Sequence, residues 1–308
     1  MGFKEALCDA YKRIGLENDK IVFVTSDVGK SVNSAEFKEV FADRFINVGI
    51  AEQNAIGVSA GVAYLGLTPI YSAYAIFASG RGWEIIRNQI CYPKLNCKLV
   101  ATHGGLNVGE DGVTHQATED IAIMRSLPNM KVFVVEQPSE VYNALCAAIS
   151  IPGPVYVRIG RADMGTVPSK GTWELGKGEL LKEGKDSVIV SVGLMVKHAL
   201  DAAEQLEREG ISCCVVNMRC VKPIDKELLL NLADVTDAFV TAEEHNRIGG
   251  LYSAVLEAFS CGGIHAKVIP VALNDEFAES GNGLKVMEKY GLHSKDIINA
   301  VKALLKRE

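Results

Sequence analysis

Two short stretches concentrate the side chains able to do chemistry. THGGLNVGEDGVTHQATEDIA, residues 102–122, sets His103, Glu110, Asp111 and His115 in a glycine-rich loop behind an apolar run. Loops of this kind at strand ends expose backbone and carry side chains to a ligand. Two imidazoles beside two carboxylates suit acid–base work or substrate contacts, and a solvated connection is the plainer alternative. The spacing from His103 to His115 is not a standard metal-ligand spacing. The second stretch, FINVGIAEQNAIGVSAGVAYLG (residues 45–66), holds a single carboxylate, Glu52, in an almost uncharged run. A charge among apolar residues is costly unless paired or protonated. Glu52 is therefore either an ordinary acid at a helix N-terminus, favoured by the dipole and free N–H groups, or an acid held at a strand end facing a ligand. Gly57 and Gly61, four residues apart on the same helix, are expected to let another backbone come close.

Two further groups fit the same edge. In YSAYAIFASGRGWEIIR, residues 71–87, Tyr74 and Phe77 stand where a strand turns into a helix, as core residues or as a platform for a flat ring. Arg161 ends PVYVRIGR and suits an anionic substrate. His198, His245, His265 and His293 lie further along and are expected to be structural.

The elements that must hold these residues are legible from periodicity. Apolar, β-rich runs at 21–26, 45–50, 69–74, 98–103, 131–136 and 154–160 alternate with amphipathic helical stretches. That alternation predicts βαβ units and a mostly parallel sheet, whose ligands gather at the carboxyl ends of the strands. After Arg161 the composition turns to Gly, Lys and turn residues, and the strand–helix pattern resumes with DSVIVSVG, ISCCVVNM, DAFVTAEEH and AKVIPVAL. The expected fold class is α/β with two domains, each a mostly parallel sheet flanked by helices: a first domain at 1–165, a linker at 166–186 and a second domain at 187–308. RIGGLYSA, residues 247–254, is expected to open a helix, and neither G-x-x-x-x-G-K-[ST] nor a strand-borne G-x-G-x-x-G occurs, which speaks against nucleotide binding by this chain alone.

The chain has 308 residues, 48% hydrophobic and 23% charged, with a formal net charge of −6, a balance that fits a soluble globular protein and argues against nucleic-acid binding. No signal peptide or membrane-length apolar run is visible, so no membrane association and a cytoplasmic location are expected. The eight cysteines follow no disulfide or zinc pattern and read as buried, reduced thiols.

The order S-D-x(3)-S, NVGIAEQN, Y-x-x-F, TH-x(5)-GEDG-x-THQ and a strand-end Arg resembles the carboxyl-terminal half of transketolase across nearly the whole chain. The resemblance implies a pyrimidine-binding domain for thiamine diphosphate followed by the transketolase C-terminal domain. It implies that Glu52 hydrogen-bonds the cofactor's aminopyrimidine ring nitrogen, which activates the thiazolium carbon, and that Tyr74 and Phe77 belong to the cofactor pocket. An apolar pocket raises a carboxyl's proton affinity, which suits a shared proton. It further implies that His103, Asp111 and His115 hold sugar hydroxyls and relay protons, and that Ser31 and Arg161 hold the sugar phosphate. The family's other phosphate-binding arginine falls at Lys4, which keeps the charge but lacks the planar fork.

The family's G-D-G and N-N, which bind the diphosphate and its divalent metal, are missing, and the chain begins where the pyrimidine domain would begin. The expectation is a split enzyme: a separate amino-terminal transketolase subunit supplies the diphosphate site and holds the metal, magnesium, while this chain provides no metal ligand. Self-association to a heterotetramer acting on sugar phosphates is expected. Among related architectures, 1-deoxyxylulose-5-phosphate synthase shares Asp111 and His115 but lacks the first histidine, and 2-oxoacid dehydrogenase β subunits lack the GEDG-x-THQ form. A non-catalytic assembly partner is the reading from another class; the filled catalytic positions stand against it.

Overall fold

A computed structural model describes residues 2–305. In chain order the elements of the first half are α1 (Phe3–Glu17), β1 (Ile21–Thr25), α2 (Ala35–Val40), β2 (Phe45–Asn47), α3 (Glu52–Tyr64), β3 (Thr68–Tyr74), α4 (Trp83–Ile85) between two π-helical turns, β4 (Lys98–Thr102), α5 (Asp120–Arg125), β5 (Lys131–Val135), α6 (Val141–Ser150) and β6 (Val155–Ile159). The second half holds β7 (Glu179–Lys182), β8 (Ser187–Ser191), α7 (Met195–Arg208), β9 (Cys213–Asn217), β10 (Cys220–Lys222), α8 (Lys226–Ala233), β11 (Ala238–Asn246), α9 (Leu251–Gly262), β12 (Lys267–Leu273), α10 (Gly283–Lys289) and α11 (Ser294–Leu305).

Two sheets result. The first has the order β10-β5-β6-β4-β3-β1-β2 and the second β12-β11-β8-β9-β7. All pairings are parallel except β10 with β5 and β7 with β9. Runs such as IVFVT and VYVRI are buried at every position, as a sheet covered on both faces requires. The two-domain, mostly parallel α/β architecture is therefore as expected.

Three details differ from the sequence reading. Residues 166–186 are not only a linker: β7 lies there and closes one edge of the second sheet, its Glu179 accepting from the buried Arg219. β10 belongs by sequence to the second half yet adds an antiparallel strand to the first sheet, since its backbone completes the open edge of β5. Gly57 and Gly61 meet no other backbone of this chain; nothing lies within 4 Å of a Cβ added at either. They sit on the outward face of α3, near Ile50, Tyr64 and Leu65, which are 79%, 66% and 80% exposed.

RIGGLYSA does open a helix, with Gly250 at the N-cap of α9. All eight cysteines are free and six of them are buried. Burial pushes the Cys97 thiol up to about 12, so it stays protonated and inert. Among the described residues no helix is long and apolar enough to cross a membrane.

Helix α1 is oriented by its apolar stripe. Phe3, Leu7, Tyr11 and Ile14 are buried, and the Tyr11 ring meets Phe23 edge-on at 4.6 Å. With Phe3 and Leu7 held inward, Lys4 stands exposed at the carboxyl edge of the first sheet.

The two halves are tied by a buried polar cluster around Arg158 on β6. Its Nε donates to Asp120 at 2.9 Å, and its Nη2 donates to the carbonyls of Ala117 and of Glu244 on β11. Tyr156 donates to the same Asp120 carboxylate at 2.8 Å. Removing one partner strands a buried charge, so Arg158→Met should destabilise the chain by about 3–5 kcal/mol. Urea unfolding of the variant checks this; a loss of under about 1 kcal/mol, the scale of an exposed pair, would contradict it.

Candidate active site

Every candidate site residue, apart from Lys4 on α1, ends or follows a strand of the first sheet at its carboxyl end. Ser31 follows β1, Glu52 follows β2, Tyr74 ends β3, His103 follows β4 and Arg161 follows β6. Parallel strands point these ends the same way, and the crossover helices leave a crevice above them. A cavity of about 300 Å³ opens there, lined among others by Lys4, Lys30, Ser31, Tyr74, His103 and Arg161. Lys4 thus stands beside Ser31 and Arg161, and Lys30 adds a cation that the sequence reading missed; its only signal was adjacency to Ser31.

Four rings cluster here, and two of them, Tyr74 and His103, line the cavity. Tyr74 meets His103 edge-on with centroids 4.3 Å apart, and Phe77 meets His115 edge-on at 5.3 Å. Tyr74 and Phe77 lie 5.8 Å from each other. The glycine-rich loop folds back so that His115, far from His103 in sequence, joins the same aromatic group. His103 Nδ1 shares a hydrogen bond with the Thr102 hydroxyl at 2.9 Å, and His115 Nδ1 one with Thr114 at the same distance. His103 has φ +61, a left-handed conformation uncommon for a side-chain-bearing residue. Gly104 fixes it by donating to the Ile159 carbonyl while resting on the Arg158 side chain.

Asp111 approaches Arg161 at 3.9 Å, with both side chains about half exposed, so the pair adds little stability. Arg161 also donates to the Val108 carbonyl, which binds the loop to the end of β6.

Glu52 opens α3 and is only 6% exposed. Among the described residues its carboxylate makes no hydrogen bond; its one charged partner is Arg81 at 3.7 Å. The Arg81 guanidinium lies 5.5 Å from the Phe77 ring centre, so Arg81 spans Glu52 and Phe77. The sequence reading missed Arg81, whose position in a π-helical turn no periodicity signals.

The second-half histidines stand apart from the cavity. His198 and His293 pack against each other at 4.7 Å, and His265 is exposed. His245 accepts from the Ala122 N–H and donates from Nδ1 to the Asn246 carbonyl, which fixes its tautomer. Among the described residues no group of three or more His, Cys, Asp or Glu side chains is placed to hold a metal ion.

Burial, followed by the nearby Arg161 charge, pushes the His103 imidazole down to about 4 from its ordinary 6.5. The ring is therefore neutral at pH 7, able to accept a proton. A depressed folded-state value means that folding loses stability as pH falls from 6.5 towards 4. NMR titration of His103 should give a midpoint near 4, moving upward in Arg161→Ala. A midpoint at the ordinary value in the unaltered chain would contradict this geometry.

Comparison with known proteins matches the transketolase pyrimidine-binding domain over residues 1–166 and the transketolase C-terminal domain over 176–297. A putative transketolase C-terminal section from Methanocaldococcus jannaschii is 40% identical over all of this chain and 97% of its own length. A 1-deoxy-D-xylulose-5-phosphate synthase from Heliobacterium modesticaldum is 34% identical over 98% of this chain and 47% of its own, so the chain spans about half of that enzyme. Among solved structures, a split-gene transketolase described as an inactive β4 tetramer is 47% identical, with a TM-score of 0.91, covering 99% of this chain and 98% of its own. The chain belongs to the transketolase family and corresponds to its pyrimidine-binding and C-terminal domains.

Proposed function

We propose that this chain is the carboxyl-terminal subunit of a split, thiamine diphosphate-dependent transketolase that transfers a two-carbon ketol unit between sugar phosphates. The observation that carries the reading is the single strand-end cavity shared by Lys4, Ser31, His103 and Arg161, with buried Glu52 on the same sheet edge. The residues fit the cofactor's pyrimidine: Glu52 is a buried carboxylate with no hydrogen-bond donor among the described residues, and Arg81 links it to the Phe77 ring. Thiamine diphosphate, when bound, supplies the carbon nucleophile that carries the ketol unit. Glu52 holds the proton at the aminopyrimidine ring nitrogen, and Tyr74 and Phe77 wall that ring. His103 and His115 take up and return hydroxyl protons, His103 from its neutral form. Asp111 orients a sugar hydroxyl, and Arg161, Ser31 and Lys4 grip the phosphate.

The diphosphate and its divalent metal, magnesium in this reading, are assigned to an amino-terminal subunit. The relatives described as a C-terminal section and as an inactive β4 assembly support that division. The bare face of α3, with Gly57, Gly61 and exposed Tyr64 and Leu65, supports a packed surface between subunits of a heterotetramer. The free, mostly buried thiols suit a cytoplasmic enzyme. The second reading is 1-deoxyxylulose-5-phosphate synthase chemistry, favoured by the 34% identical relative; His103 in the cavity favours ketol transfer.

Co-purification of the chain with its amino-terminal partner, followed by a ketol-transfer assay, tests the reading. Glu52→Gln should lower turnover about a thousandfold or more with folding unchanged; near-normal activity would remove the central claim. Arg161→Ala should raise KM for a phosphorylated acceptor about tenfold and much less for the free sugar, with a weaker effect from Lys4→Ala. Equal losses on both sugars would make Arg161 a support of the fold.

A further inference from the structure

The loop that carries Asp111 and His115 is not held by its own domain alone. Glu244, near the carboxyl end of β11 in the second sheet, is 1% exposed, and its Oε1 accepts the Asn107 N–H at 2.6 Å. Oε2 is buried and finds no partner among the described residues. The loop backbone lies directly on the carboxylate: a Cβ added at Gly105, where φ is +86, would fall 2.2 Å from Glu244 Cδ. Glu244 is itself located by Arg158, whose Nη2 donates to its carbonyl at 2.9 Å. The same guanidinium receives Gly104 and binds the Ala117 carbonyl, so both ends of the loop converge on one charge. From Gly105 the backbone reaches Asp111 within six residues, and the second domain meets it again where Gln116 donates to the Glu279 carbonyl at 3.1 Å.

We propose that Glu244 is a positioning residue for substrate binding: it grips the loop backbone at Asn107 and so holds His103 at the cavity and Asp111 beside Arg161. The second domain thereby takes part in recognising the substrate without touching it. A buried carboxyl oxygen that accepts a main-chain N–H is well suited to this, because a bond to backbone fixes position independently of any loop side chain. This inference rests on the ketol-transfer reading for its kinetic arm only.

Glu244→Gln keeps the accepting oxygen and the volume, whereas Glu244→Ala removes the grip. Both variants are prepared as the full chain with its amino-terminal partner. In Glu244→Ala, hydrogen exchange of the amides in 105–112 should quicken by about tenfold or more. KM for a five-carbon aldose phosphate should rise by about tenfold, with kcat within about threefold and thiamine diphosphate affinity unchanged. Glu244→Gln should restore most of both. Unaltered exchange in Glu244→Ala overturns the proposal, as do equal kinetic losses in the two variants or a fall in kcat and cofactor affinity without a KM effect. If Glu244→Ala does not fold, the Gln variant decides: unprotected 105–112 amides in a folded Gln chain overturn the grip. If the unaltered complex shows no ketol transfer, the functional reading fails and the exchange data alone judge the loop's attachment.

Discussion

A full positive charge buried in the middle of a parallel sheet is tolerable only when every direction around it is answered. Arg158 is 3% exposed, and the answers come from three places distant in sequence: the Asp120 carboxylate, the Ala117 carbonyl and the Glu244 carbonyl. Each is a backbone or helix-start position that must be where it is for the guanidinium to be satisfied. The cluster therefore fixes the start of α5, the return of the glycine-rich loop and the approach of β11 together. One desolvated charge thus ties the two sheets together at this point, beside the β10–β5 pairing and the Asn107–Glu244 bond.

The same economy recurs beside it. Glu243 and Glu244, adjacent on β11, both spend their carboxylates on main-chain N–H groups, Glu243 on Leu251 and Tyr252 at the start of α9 and Glu244 on Asn107. In each case a glycine lies where a side chain would collide with the carboxylate, Gly250 and Gly105 respectively. Burial makes the two acids clamps, one on a helix and one on the glycine-rich loop.

At the cavity, the physical theme is contrast between dry and wet groups. Glu52 is buried and His103 half-buried, and burial holds the His103 imidazole neutral. Lys4, Lys30, Ser31 and Arg161 remain exposed around the rim, where long cationic side chains can gather an anionic group without a large desolvation cost. The neutral imidazole and the charged rim are products of the same crevice at different depths.

The strands of the first sheet, the helix beginning at Glu52 and the strand-end location of His103, Tyr74 and Arg161 were readable in the chain, because local hydrophobic period and glycine placement are local properties. The composition of the glycine-rich loop also marked Asp111 and His115, the family resemblance marked Ser31, and the structure brings Ser31 and His103 to one cavity. β7 and β10 were not readable: each is a short strand whose pairing partner is distant in sequence, and runs as short as ELLK and CVK carry no period of their own. Arg81 and Glu244 escaped for a related reason. A charge becomes a partner of Glu52 or a clamp on Asn107 only when a turn or a second sheet brings it within a few ångströms. The sequence by itself determined which residues follow which strand and hence the edge where ligands gather. Only the tertiary structure decided which buried charges face one another, since Coulomb and hydrogen-bond energies depend on distance through space and not along the chain.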